Sequence, residues 1–293
     1  MNPFGRLHPF AILLYYVMAA VLMVGTSDPF VNLTVWIMSL LHYFFLTGMR
    51  KGFRMLWYSL GTAVLCLMVN PLLNHRGVTL LFMLGEWRIT KEAVLYGMHM
   101  AILLLASLLL FSCFSHHMTA EKIMTLMGKR MPSFALLFSM ILRFVPKAGK
   151  DFREMAALHG NHPSMWQALL GITLEDAVGR SLSMKSRCYG MKTRSSYYHR
   201  KMDRSEILLC VCCVTVTMGL LVCQYMHQYR VRFFPSIHMD RLPLWMWTLF
   251  FIFYSLPLVW QGKEELSWYL SRRKITDSVT RRKNSQQSIS GNY

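Results

Sequence analysis

Six apolar runs, at about residues 10–25, 30–48, 56–73, 93–114, 205–224 and 243–260, limit what this chain can fold into more than any other feature. A helix needs roughly 20 residues to cross the hydrocarbon of a bilayer, and about 17 suffice. Backbone groups placed in hydrocarbon must satisfy one another, so runs of this kind are read as helices. The expected fold is therefore all-α: a polytopic membrane protein with about six transmembrane helices. The first run is the shortest. It is not read as a signal peptide, because no small-residue cleavage site follows it and Asp28-Pro29 reads as a turn into the next helix. Composition agrees, since 16% of residues are charged where soluble domains carry about a quarter.

The net charge of +18 raises the question of nucleic acid, and the placement of the charges answers it. Segments between the spans alternate sides. One set (the N-terminus, 49–55, 115–204 and the C-terminal tail) holds 26 Lys and Arg, and the loops near 74–92 and 225–242 hold 6. Leaving out the long region still gives 11 against 6. Lys and Arg mark the cytoplasmic side, which puts both termini in the cytoplasm of a multi-pass protein of the cell membrane. The surplus charge is read as topology plus attraction to anionic lipid. No recognition motif accompanies it, so no nucleic-acid partner is expected.

Motifs of chemistry are missing. Gly128-Lys129-Arg130 and Gly149-Lys150-Asp151 lack Walker A spacing and the hydroxyl after lysine. His-Glu-x-x-His and Gly-x-Ser-x-Gly are also absent. Of seven cysteines, Cys210, Cys212, Cys213 and Cys223 fall in one apolar run, where thiols behave as small hydrophobes. His116 and His117 lie near Cys113, but adjacent helical residues point in different directions. No metal, cofactor or catalytic residue is expected.

About 90 residues separate the fourth run from the fifth. A short helix is expected from Thr119 through Leu126, and a second opens at Pro132-Ser133. Phe134 to Val145 is apolar except for Ser139 and Arg143. It is too short to span, and long enough to lie at the interface or pack under the spans. Pro146 removes a backbone donor and is expected to kink the helix. A third helix is expected from about Ser164 to Tyr189, with Gly171, Ala177, Gly179 and Ser183 among the small residues that let another backbone come close. A solvated surface helix is the other reading. The domains are thus 1–114 with four spans, 115–204 on the cytoplasmic side, 205–260 with two spans, and a basic tail at 261–293 expected to be disordered.

"ILRFVP" (Ile141–Pro146), followed some forty residues later by "SMKSRCYG" (Ser183–Gly190), resembles the transmembrane T component of energy-coupling factor (ECF) importers, the family that includes cobalt-transport-type membrane subunits. "NPLLNHRGVTLLF" (Asn70–Phe82), "ITKEAVLYG" (Ile89–Gly97) and "FSCFSHHMTAEKIM" (Phe111–Met124) extend the resemblance over most of residues 1–204. The resemblance implies a subunit without ATPase activity. Such a subunit joins two cytosolic ABC-type ATPase subunits to a small membrane substrate-capture (S) subunit for a vitamin or transition-metal ion. It implies two coupling helices, the first carrying Arg143-Phe144-Val145-Pro146, each ending in an Ala-Arg-Gly-like motif that docks on one ATPase. The second motif corresponds to Ser186-Arg187-Cys188. The first corresponds to Leu158-His159-Gly160, where histidine stands in place of arginine.

The physical case for Arg187 stands beside the resemblance. At a helix C-terminus the dipole favours a cation, and a guanidinium can fork onto a carboxylate. Gly190 is expected to supply the left-handed cap. His159 is mostly neutral at cytoplasmic pH unless an acid raises its pKa, so the first dock is expected to depend on shape. A solvated arginine is the alternative for Arg187. A self-contained secondary transporter is the alternative for the whole chain, although the runs hold almost no Asp or Glu.

Overall fold

The computed structural model describes residues 4–26, 28–73, 79–84, 87–159, 163–189, 202–227 and 242–290. The chain is an all-α polytopic membrane protein with one small hairpin. It divides into two compact units, one made of Met1–Thr119 with Met202–Tyr293, the other of Ala120–Lys201.

The first unit contains α1 (Pro9–Gly25), α2 (Pro29–Thr47), α3 (Met49–Leu73) and a hairpin of β1 (Leu80–Leu84) and β2 (Trp87–Thr90), then α4 (Lys91–His117). In the second unit are α5 (Ala120–Arg130), α6 (Pro132–His159) and α7 (Pro163–Ser186). The first unit resumes with α8 (Arg204–His227) and α9 (Leu244–Ser290). Five segments are long and apolar enough to cross a membrane: Pro29–Thr47, Met49–Asn70, Lys91–His117, Arg204–Met226 and Leu244–Arg272. The sixth apolar helix, Pro9–Gly25, has 17 residues and sits at the lower limit for a span.

Helix starts follow local chemistry. Pro29 opens α2 and Asp28 Oδ1 accepts the Phe30 N–H at 3.0 Å. Asp203 and Glu206 form a capping box for α8, the Glu206 carboxylate accepting the Asp203 N–H at 3.0 Å. The same carboxylate accepts the His8 N–H at 2.8 Å, so the starts of α1 and α8 are tied together. Gln224 Nε2 donates to Thr26 Oγ1 at 3.1 Å and ties their ends. These two helices therefore run in the same direction. Cys113 donates to the Ser39 carbonyl at 3.5 Å, and His42 meets His117 one turn further on, so α2 and α4 also run together. Asn70 to Ala93 and Met55 to Ser112 make α3 run against α4. Phe30 lies beside Trp247 and Gln261 faces His42, which sets α9 parallel to α2. Phe4, before α1, packs edge-on against His42 at the end of α2, so α1 opposes α2. The starts of α1, α3 and α8 and the ends of α2 and α4 thus share one face of the array. The core centres on Tyr15, Ile12, Leu22, Leu109, Leu220, Met246 and Phe250, all under 2% exposed or at 2%.

Two expectations change. The segment before α4 contains the β1–β2 hairpin, anchored where Glu92 accepts the Thr79 hydroxyl at 2.8 Å. The tail from residue 261 is not irregular: α9 continues through Ser290. No proline or glycine follows Gly262 before Gly291. A helix already nucleated in the span needs only propagation to continue through Lys, Arg and Gln, all good helix formers.

Candidate coupling and docking site

The second unit carries the residues that the sequence points to. One residue joins α5 to α6, and the Met131 and Ala135 amides continue the helical hydrogen bonding across it, to Met127 at 2.7 Å and Met131 at 3.1 Å. α5 extends to Arg130, beyond the expected end at Leu126. α6 continues through Pro146 as one helical element of 28 residues, about 42 Å along its path at 1.5 Å per residue.

α6 and α7 lie antiparallel. Phe152 packs on Trp166 with ring centroids 5.5 Å apart, and Met165 beside it is 1% exposed. One to two turns toward the start of α6, Lys147 pairs with Asp176. Arg180 Nη2 also reaches Asp176, at 3.4 Å, and its guanidinium lies 4.9 Å from the centre of the Phe144 ring. The hydrogen bond from Lys147, reinforced by the charges of Lys147 and Arg180, holds the Asp176 carboxyl below its usual pKa. Lys147, Asp176 and Arg180 were not singled out by the sequence. Asp176 and Arg180 stand at the i, i+4 spacing of helical ion pairs, which was visible. That Lys147 on another helix completes the cluster was not.

Of Arg143-Phe144-Val145-Pro146, only Phe144 turns toward α7, while Arg143, Val145 and Pro146 are exposed. On α7 Ala177 lines the groove between the helices. Gly171 and Gly179 have open space where a Cβ would stand, and Ser183 is exposed. Within the second unit these small residues are turned away from α6 and are available to another backbone.

At its C-terminus α7 closes in a Schellman arrangement. The Tyr189 N–H donates to the Met184 carbonyl at 3.1 Å and the Cys188 N–H to that of Lys185 at 3.1 Å. Cys188 takes φ +58° and is the left-handed residue of this arrangement. Gly190 lies outside the described residues. Arg187 becomes the C-cap itself. Ser186, Arg187 and Cys188 are all exposed, and Arg187 has no ion pair among the described residues. The other motif is described in part: Leu158 is 79% exposed at the end of α6, whereas Gly160 and the side chain of His159 lie outside the described residues.

In the first unit the rings of His42 and His117 stack 5.2 Å apart with their Nε2 atoms 2.9 Å from each other. His117 thus engages α2, while His116 beside it points elsewhere. Among the described residues no group of three or more His, Cys, Asp or Glu is placed to hold a metal ion. Comparison of the chain with protein-family models returns no match, and comparison with curated proteins returns none either.

Proposed function

We propose that the chain is the non-catalytic transmembrane coupling subunit of an ATP-driven importer of the ECF type, taking up a micronutrient such as a vitamin or transition-metal ion across a bacterial plasma membrane. In this reading both termini are cytoplasmic, two ABC-type ATPase subunits hydrolyse ATP, and a small membrane subunit captures the substrate. The second unit transmits motion between them.

One observation carries the reading. The tip of α7 presents Arg187 at the C-cap, flanked by Ser186 and Cys188 and exposed, on a helix braced against α6 by Lys147, Asp176 and Arg180. A rod with a cation at its end suits a dock on an acidic groove of another chain, because a guanidinium binds a carboxylate through two parallel hydrogen bonds. The exposed faces of Gly171, Gly179 and Ser183 suit a second partner that must slide closely past.

Charge reversal at the tip tests this. Arg187→Glu is expected to strip at least one ATPase from the complex purified in mild detergent, while the chain remains inserted in the membrane. Retention of both ATPases at wild-type yield removes the docking role.

A second reading has one observation in its favour. His42 and His117 are buried ionisable groups on two membrane-length helices, and such residues often mark proton or ion paths. They sit in the last turns of α2 and α4 rather than at mid-span. Uptake by the purified chain in liposomes without ATPases would establish a self-contained secondary transporter instead.

A further inference from the structure

We propose that the groove between α6 and α7 holds an anionic phospholipid drawn from the surrounding bilayer. The groove has a volume of about 560 Å³, within the range of ligand pockets. Its floor is apolar, built from Met140, Ile141, Phe144, Ala177 and Met184, and Lys185 lies on its rim. Arg180 also lines it and is fixed in place by Asp176 and Phe144. An apolar floor with cations beside it matches an acyl chain carrying a phosphate head.

The α6 surface next to the groove extends the match. Phe134, Leu137, Phe138 and Val145 are 60%, 55%, 39% and 61% exposed, and helical spacing places them with Ile141 on one continuous face. Such a face lies in the headgroup boundary of a bilayer. Charge favours an anionic one, because the stretch from Ala120 to Lys201 holds fourteen Lys and Arg against five Asp and Glu. Along the chain, α5 starts at Ala120, three residues after the membrane-length helix α4 ends at His117.

The test uses the full chain in nanodiscs made of equal parts phosphatidylglycerol and phosphatidylcholine, with p-benzoylphenylalanine in place of Ile141. A second sample carries it in place of Leu65, which is 66% exposed on α3. Irradiation followed by mass analysis reads which lipid is attached. The expected result at position 141 is phosphatidylglycerol over phosphatidylcholine by about fivefold, the preference conferred by one lysine near an anionic surface. At position 65 the two lipids should react equally. Lys185→Glu should bring the ratio at 141 to one or below and leave position 65 unchanged, which also shows that the variant is folded. The proposal is overturned by a lack of lipid adduct at 141 while 65 reacts. Equal ratios at the two positions, or a ratio at 141 insensitive to Lys185→Glu, overturn it equally. No ATPase or substrate-capture subunit is present in this experiment, so its outcome is independent of the docking of Arg187.

Discussion

Cys188 occupies a backbone conformation that L residues adopt reluctantly, φ +58°, because two hydrogen bonds from the end of α7 require it there. Glycine fits that position without a Cβ penalty. Cys188→Gly is therefore expected to stabilise the end of α7 by about 1 kcal/mol, seen as slower hydrogen exchange at the Cys188 and Tyr189 amides. Cys188→Val should speed it. Faster exchange in Cys188→Gly than in the wild-type chain would show that the left-handed turn stores no strain. Asp176 makes a second argument at this scale. Lys147 and Arg180 depress its pKa, so the carboxylate's contribution is complete above the ordinary value of 3.8 and is lost as pH falls through the lower folded value. Spin labels on Leu142 and Glu175 should report a narrow distance distribution from pH 7 down to 3.8, which broadens progressively as pH falls below 3.8 toward the lower folded value. Asp176→Asn should be broad throughout. An unchanged distribution in Asp176→Asn would show that apolar contacts such as Phe152 on Trp166 suffice to hold the pair.

Elements join through positions where side-chain volume is decisive. One residue, Gly48, links α2 to α3, at φ +81°. One turn on, a Cβ at Gly52 would stand 2.4 Å from the Phe44 ring, which itself packs edge-on against Phe53. Gly48→Ala is expected to cost about 1–3 kcal/mol through backbone strain, and Gly52→Val a similar 1–3 kcal/mol through overpacking. Both should lower the thermal midpoint of the solubilised protein. An unchanged midpoint for Gly52→Val would mean that the Phe44 ring swings away without loss. Much at this scale could be read from sequence. Asp28-Pro29 and Pro132 announce helix starts, and the apolar runs give the spans, because bilayer thickness and capping chemistry act locally. Other features could not be read there. The β1–β2 hairpin lies in a loop with no alternating pattern long enough to outweigh the neighbouring helices. Polarity alone suggests disorder in the tail, yet a helix that enters it from a span needs no apolar face to continue. At the tip of α7 a cysteine in the left-handed position has no sequence signature, because the hydrogen bonds that select that residue depend on where the helix ends.

Across the whole first unit, the pairs His8–Glu206, Thr26–Gln224, Ser39–Cys113, His42–His117 and Phe30–Trp247, with Asn70–Ala93, Met55–Ser112, Phe4–His42 and Gln261–His42, fix which way every long helix runs. The chain leaves α4 and returns into α8 on the face that also carries the start of α1, the α2–α3 turn and the extension of α9 beyond Gln261. The start of α1, the α2–α3 turn and the α9 extension hold eleven lysines and arginines, against six in the loops near 74–92 and 225–242. The hairpin and the start of α9 at Leu244 lie on the opposite face. The helix directions set by packing give the same alternation of segments on which the charge count rests. The division is physical: carrying a cluster of cations through hydrocarbon is costly, so charged segments stay together on the side where synthesis leaves them. Cysteines introduced singly at Glu121 and Ser271, in a chain whose own seven cysteines are replaced, should react with an impermeant maleimide only after the cells are opened. Thr79→Cys should react in intact cells. Labelling of Glu121→Cys and Thr79→Cys from the same side would break the helix directions set out here.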